Sequence, residues 1–154
     1  MTKSGLTLLM CGFLLVGMGC SASQQLTAQP EKPGRSLYQR LGGYDAIAAV
    51  TDDFIGRLIQ DQQLSRFFSG VSTDSKTRIR QLVVDQLCSA TGGPCFYIGR
   101  DMKTSHRGLG ITESDWQVAV KHLVATLDKF KVPPREKDEV LAAVSGLKKD
   151  IVER

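Results

Sequence analysis

The feature that most restricts the fold of this chain is the spacing of its apolar residues, which recur every three or four positions from residue 36 onward. This spacing places apolar side chains on one face of a helix. One such face consists of Ile47, Val50, Phe54 and Leu58. No stretch shows the sustained apolar and polar alternation of a half-buried strand. The sequence therefore predicts an all-α domain.

Local signals mark where the predicted helices begin and end. Ser36 opens a capping box with Gln39, and Thr112 opens another with Asp115. The Gly-Gly-Pro run at 92–94 ends one helix, and the proline pair at 133–134 separates the last two. The predicted apolar stripes after residue 78 are Ile79, Leu82, Val83 and Leu87; then Trp116, Val120, Leu123, Leu127 and Phe130; then Val140, Val144, Leu147 and Ile151.

Length and charge narrow the class of protein. A chain of 154 residues has room for one domain, and 42% hydrophobic residues can build a packed core. If Lys3 is removed with the N-terminal segment described next, 19 basic residues face 16 acidic ones, a net charge of +3. Because the basic residues are scattered rather than clustered, we expect no nucleic-acid binding.

The first 20 residues have the layout of a secretory signal. Lys3 precedes an almost wholly apolar run from Leu6 to Met18, which is shorter than the roughly 17–25 residues of a membrane-spanning helix. The run 16–20, Val-Gly-Met-Gly-Cys, resembles a bacterial lipobox, although Gly17 stands where Leu is favoured. We expect a signal peptide of lipoprotein type over 1–20, with Cys20 lipidated, and plain secretion as the alternative.

The next segment, residues 21–35, is polar and contains two prolines, which predicts a flexible tether. The folded domain then covers residues 36–154. This organisation predicts an extracytoplasmic protein that is lipid-anchored to a bacterial membrane, in the periplasm or at the outer membrane.

The stretch from Gly92 to Ile111 stands out from the helical pattern. It holds five glycines together with aromatic residues and one of only two histidines, His106. A loop of this length in a small domain is usually functional.

Residues in and around this loop carry a family resemblance. They are Leu37-Tyr38, Leu41-Gly42-Gly43, Asp53-Phe54, Phe67-Phe68, Gly92-Gly93-Pro94, Tyr97, Gly99-Arg100-Asp101-Met102 and His106. In this order and spacing they resemble the group 1 truncated globins of bacteria. The resemblance covers Ser36 to Val152.

The resemblance implies a two-over-two helical sandwich around a haem. His106 matches the proximal ligand of the iron, and Phe68 matches the aromatic that wedges against the haem. No C-x-x-C-H attachment motif is present, so we expect noncovalent haem b. Arg100, Lys103 or Arg107 would supply cations to the haem propionates. The full set of expected haem-contacting residues is Phe54, Ile55, Phe68, Ile79, Leu82, Val83, Tyr97, Met102, Lys103, Trp116 and Leu123.

The distal side departs from the family pattern. Ile55 stands where these globins usually place a Tyr that donates a hydrogen bond to bound oxygen. On the following distal helix, the favoured register points Ile79, Leu82 and Val83 inward. A shift of about two residues would instead bring in polar side chains, namely Thr77, Arg80 or Gln81.

Cysteine usage agrees with an oxidising compartment. Cys11 would leave with the signal peptide and Cys20 would be lipidated, so Cys88 and Cys95 remain in the domain. They flank the reversal at 90–94, and disulfides persist outside the cytoplasm. We expect a Cys88–Cys95 disulfide.

Three classes of function follow. The first is a haem protein that binds, stores or transports a diatomic gas: oxygen, nitric oxide or carbon monoxide. The second is a haem enzyme such as a nitric oxide dioxygenase or peroxidase, which needs an electron donor, or a haem-based gas sensor. The third is a helical lipoprotein that keeps the fold for interaction alone. Ile55 argues against the dioxygenase, and His106 with Phe68 argues against the third class.

Overall fold

The computed structural model describes residues 34–154, and every regular element in that range is helical. This confirms the all-α prediction. The elements are α1 (Leu37–Arg40), α2 (Gly43–Gln60), a 3₁₀ turn (Ser65–Phe68), α3 (Thr73–Ala90), α4 (Met102–His106), α5 (Glu113–Lys129), α6 (Pro134–Ser145) and α7 (Lys148–Ile151). The predicted signal peptide and residues 21–33 of the predicted tether lie outside the described residues.

None of the helices between residues 34 and 154 is long and apolar enough to cross a membrane.

Helix α2 is the centre of the packing. It contacts α3 and α5, and α6 contacts both α5 and α1. Ile47 of α2 is buried with Val84 and Cys88 of α3, whereas Leu123 and Leu127 of α5 form a second buried cluster that includes α6. The pairs α2/α3 and α5/α6 form a two-over-two helical sandwich.

The predicted caps form as expected. The Ser36 hydroxyl accepts the N–H of Gln39 and the Thr112 hydroxyl accepts that of Asp115, each within a complete capping box. Helix α3 ends at the predicted Gly-Gly-Pro run. A Cβ added at Gly93 would lie 2.5 Å from the Tyr38 ring and 2.7 Å from the Cys88 sulfur, so only glycine fits there.

Two details of the predicted stripes are wrong. The last helix is not continuous, because α6 ends at Ser145 and α7 begins at Lys148. Gly146 is a weak helix former, and the Leu147 N–H donates to the Val144 carbonyl three residues back. On α3, Val84 and Cys88 are the fully buried residues. Of the predicted α3 stripe, Leu87 packs against this buried pair, whereas Leu82 and Val83 are half-buried and Ile79 is exposed.

Candidate functional site

Helix α4 presents His106 in a fixed orientation. The Asp101 carboxylate caps the helix by accepting the Thr104 N–H at 2.8 Å and the Thr104 hydroxyl at 2.7 Å. One turn later, the Nδ1 of His106 lies 2.8 Å from the carbonyl oxygen of Met102. A carbonyl can only accept, so Nδ1 carries the proton, and Nε2 keeps a lone pair that can bind a metal.

The chain that follows His106 is held by the C-terminal residues. The Glu153 carboxylate accepts the Gly108 N–H at 2.5 Å and the Gly110 N–H at 2.6 Å. The Glu153 N–H donates to the Ile111 carbonyl at 2.9 Å. This clamp, formed by Glu153 on Gly108 and Gly110, fixes the exit of α4, and α7 also packs on α4.

Sequence reasoning missed Glu153 as part of the site. Its two donors have left-handed backbones, with φ +81° at Gly108 and φ +66° at Gly110, which glycine adopts at little cost. Their N–H groups hold the pKa of Glu153 below its usual range. The Gly-x-Gly spacing just after His106 was the only sequence feature that indicated this contact, and it does not identify Glu153 as the acceptor.

The second histidine is used within the fold. The Nε2 of His122 lies 2.8 Å from an Asp61 carboxylate oxygen. Hydrogen bonding to His122 lowers the pKa of Asp61, and so do two backbone N–H groups. His122 is therefore a structural residue that joins α5 to the end of α2.

The polar residues of α3 that a shifted register would turn inward are bonded elsewhere. The Arg80 guanidinium donates two hydrogen bonds to Asp52 of α2, at 2.6 and 2.8 Å. Gln81 donates to the Tyr44 hydroxyl, also on α2, at 2.8 Å. The Thr77 hydroxyl donates to a backbone carbonyl of its own helix. These contacts favour the apolar register.

The expected haem-contacting residues differ in burial. Ile55 and Leu123 are buried, whereas Ile79 and Lys103 are exposed. The half-buried ones are Phe54, Phe68, Leu82, Val83, Tyr97, Met102 and Trp116. Direct contacts place Phe54 against the cluster that contains Leu123.

These residues suit haem. Several large apolar side chains, three of them aromatic rings (Phe54, Phe68 and Trp116), keep accessible surface that a flat apolar group would cover. His106 offers one neutral imidazole nitrogen, the ligand a globin haem needs. Among the described residues no cluster of three or more metal-ligating side chains exists, so a single axial bond is the metal chemistry this site offers.

A disulfide joins the end of α3 to the loop that leads to α4. Cys88 and Cys95 are bonded, with their Cα atoms 5.8 Å apart. Cys88 is fully buried against Ile47 and Val84. The bridge thus ties the loop before the histidine helix to the packed core.

With this geometry in hand, the chain can be compared with known proteins. Residues 36–153 match the sequence profile of the bacterial-like globin family. The chain belongs to this family. A group 1 truncated haemoglobin of Mycolicibacterium paratuberculosis is 35% identical over 116 residues, which cover 75% of this chain and 83% of that protein. One from Synechocystis is 35% identical over 115 residues, covering 72% and 90%.

Solved structures agree on the fold of this globin. The 2/2 haemoglobin of a Synechococcus species, solved in the cyanomet state with covalently attached haem, superposes with a TM-score of 0.71 at 28% identity. It is matched over its whole length by 78% of this chain. A truncated haemoglobin of Tetrahymena pyriformis gives the same TM-score at 23% identity. This similarity supports a shared fold. The domain is a 2-on-2 globin.

Proposed function

We propose that this globin binds haem through Nε2 of His106 and takes up a diatomic gas reversibly. The observation that carries the assignment is the 2.8 Å contact from His106 Nδ1 to the Met102 carbonyl. That contact sets the tautomer and aims the free nitrogen away from the helix backbone. When bound, haem would supply the iron that binds oxygen, nitric oxide or carbon monoxide.

The surrounding residues have separate tasks in this proposal. The half-buried aromatic side chains Phe54, Phe68 and Trp116 would hold the haem and exclude water. The exposed cations Lys103 and Arg107 lie within three residues of His106 and would pair with the propionates. The haem is of the noncovalent b type.

The histidine assignment is tested by comparing two alanine variants. His106→Ala should lose stoichiometric haem, or hold it only when imidazole is added, because no other described imidazole is free of a carboxylate partner. His122→Ala should keep the haem. An unchanged Soret band in the His106 variant would refute the assignment. Extraction of the haem into acidified butanone from the wild type tests noncovalent attachment.

Gas binding is favoured over oxidation of nitric oxide by one specific feature. A dioxygenase has to hold oxygen with a distal donor, but Ile55 is apolar and buried, and the polar groups of α3 bond to other partners. The distal residues therefore provide an apolar wall, which suits reversible uptake. An assay of nitrate formation with a chemical or enzymatic reductant decides between the two.

We also propose that the globin domain is carried outside the cytoplasm on a lipid attached to Cys20. The support is the apolar run over 6–18, the lipobox-like residues 16–20 and the polar segment that follows. The full-length protein should then fractionate with membranes, and Cys20→Ala should release it from the lipid anchor. A wild-type protein found soluble outside the cytoplasm would leave plain secretion as the explanation.

A further inference from the structure

The loop before α4 displays two large apolar side chains that the haem site does not use. Phe96 is 86% exposed and Ile98 is 85% exposed. Burial alternates along this stretch: Cys95, Tyr97 and Gly99 are half-buried, whereas Phe96, Ile98 and Arg100 face outward. An extended segment thus presents two apolar residues and a cation on one side. We call Phe96, Ile98 and Arg100 the apolar tip.

The inward residues fix this segment in place. Cys95 is bonded to the buried Cys88. The Tyr97 hydroxyl donates to the Arg100 carbonyl at 2.6 Å, which closes the loop on itself. A Cβ at Gly99 would lie within 2.6 Å of the Tyr97 ring, so the backbone packs directly on that ring. The apolar tip is therefore a held surface, and its exposure does not come from a loose chain.

The chain enters the domain beside the same segment. A Cβ at Gly92 would lie 3.1 Å from the Cβ of Ser36, and the Tyr38 N–H donates to the Thr91 carbonyl at 2.8 Å. The start of the domain is thus only a few residues from the disulfide that begins the tip segment. The 14 residues between Cys20 and Arg35 span at most about 50 Å when fully extended.

We propose that the apolar tip docks on an anionic lipid surface. Phe96 and Ile98 would enter the boundary between headgroups and acyl chains, and Arg100 would meet the lipid phosphates. Without Lys3 the sequence has a net charge of +3, which complements an anionic surface. In the cell, contact between the tip and a membrane rests on the proposed lipid anchor at Cys20. That anchor would hold the start of the domain close to the membrane.

The test uses the haem-loaded domain 34–154, which has no Cys20. Residues 33–154 form a compact unit, and 78% of this chain matches the whole chain of the Synechococcus globin structure. Sedimentation with vesicles of phosphatidylethanolamine and phosphatidylglycerol gives a partition coefficient. The double variant Phe96→Ser, Ile98→Ser should bind about tenfold or more weakly, because two apolar side chains lose their burial.

Two controls separate the contributions. The variant Phe96→Trp, Ile98→Leu keeps an apolar tip and should bind as the wild type does. Arg100→Ser should weaken binding to anionic vesicles and leave the weaker binding to neutral phosphatidylcholine vesicles unchanged. The variants of Phe96 and Ile98 should show the wild-type Soret band, since neither side chain is assigned to the haem site.

Two results would overturn the proposal. One is equal sedimentation of the wild type and the double serine variant. The other is concentration-dependent dimerisation of the wild type without vesicle binding, lost in the serine variant, which would make the tip a contact between copies of the chain. Because the tested domain lacks the anchor residue, either failure is distinct from a failure of the Cys20→Ala fractionation.

Discussion

In the proposed gas site, a single side chain on α2 would govern how firmly oxygen is held. Ile55 is only 8% exposed, so its side chain is part of the dry interior and offers no hydrogen-bond donor. Oxygen gains partial negative charge when it binds ferrous haem, whereas carbon monoxide gains much less. A donor at this position therefore discriminates between the two gases.

We expect Ile55→Tyr to slow oxygen release by roughly ten- to a hundredfold. A hydrogen bond to a charged group contributes about 1.5–3 kcal/mol, and about 1.4 kcal/mol corresponds to a factor of ten in rate. Release of carbon monoxide should change far less. Stopped-flow measurement of both rates on the ferrous protein tests the expectation.

Ile55→Phe is the matched control, because it adds the ring without the hydroxyl. If Phe slows oxygen release as much as Tyr does, the effect is steric. If Tyr leaves oxygen release unchanged while the ferrous haem stays five-coordinate, another distal donor already acts on the oxygen. That donor would be Thr77, Arg80 or Gln81, which would have to leave its present hydrogen-bond partner.

At the scale of elements, α4 depends on what surrounds it. Five residues are far too few for a helix that is stable in isolation. Asp101 caps its start, and the Glu153 clamp on Gly108 and Gly110 fixes its exit. The orientation of His106 therefore depends on a carboxylate 47 positions away in the sequence.

We expect Glu153→Gln to accelerate haem loss several-fold. The amide keeps the size of the side chain, but it replaces two charge-assisted acceptor contacts by at most one neutral acceptor, and charge-assisted bonds are roughly twice as strong. Haem transfer to an excess of apomyoglobin gives the rate. The iron–histidine stretching band in the resonance Raman spectrum should shift or broaden, because the variant loosens the support of His106.

Glu136→Gln serves as the control for a general loss of stability. Glu136 pairs with Arg40 at 2.6 Å, where α6 meets α1, and does not contact the loop after α4. An equal effect of both variants on haem loss, with no change of the Raman band in either, would show that the Glu153 clamp does not position the histidine.

The same elements show what the sequence could and could not predict. Capping boxes and the Gly-Gly-Pro stop are local, so Ser36, Thr112 and the end of α3 were predictable from neighbouring residues. The Glu153 clamp joins positions far apart in the chain, and no local pattern encodes it. The two-sided burial of α3 was also hidden, since one side packs on α2 while the other carries apolar residues that remain half-buried.

At the scale of the whole molecule, two carboxylates connect elements that are distant in sequence: Asp53 is half-buried and Asp115 is buried. Asp53 of α2 bonds to Arg57 on its own helix and to Lys129 and Thr126 of α5. The nearby cations, Arg57 first and then Lys129, hold the pKa of Asp53 well below its usual range. The ion pair between Asp53 and Lys129 thus requires the ionised carboxylate.

Asp115 does the same between α5 and the turn that follows α2. Its side chain is 1% exposed and accepts hydrogen bonds from Arg66 at 2.7 Å and Gln63 at 2.8 Å. Burial by itself would raise the pKa of Asp115, but the bonds from Gln63, Thr112 and Arg66 outweigh it and hold the pKa below its usual range. The charged form is therefore the one the fold stabilises.

The pH dependence of stability follows from the direction of these shifts. A carboxyl whose folded pKa lies below its unfolded value of about 3.8 stabilises the fold fully above that pH, and this contribution is lost as the pH falls toward the folded pKa. Asp115→Asn should thus lower the unfolding free energy by about 1.5–3 kcal/mol at pH 7, and the difference in unfolding free energy from the wild type should shrink below about pH 4.

Urea unfolding of the haem-loaded domain at fixed total haem, from pH 7 to pH 2.5, measures this difference. Asp138→Asn, at an exposed position, is the control. Haem dissociation affects its unfolding as it affects that of the wild type, so its unfolding free energy should follow the wild-type dependence on pH. A gap for Asp115→Asn that stays constant down to pH 2.5 would mean that the hydrogen-bond geometry, and not the charge of the carboxylate, joins α5 to the turn.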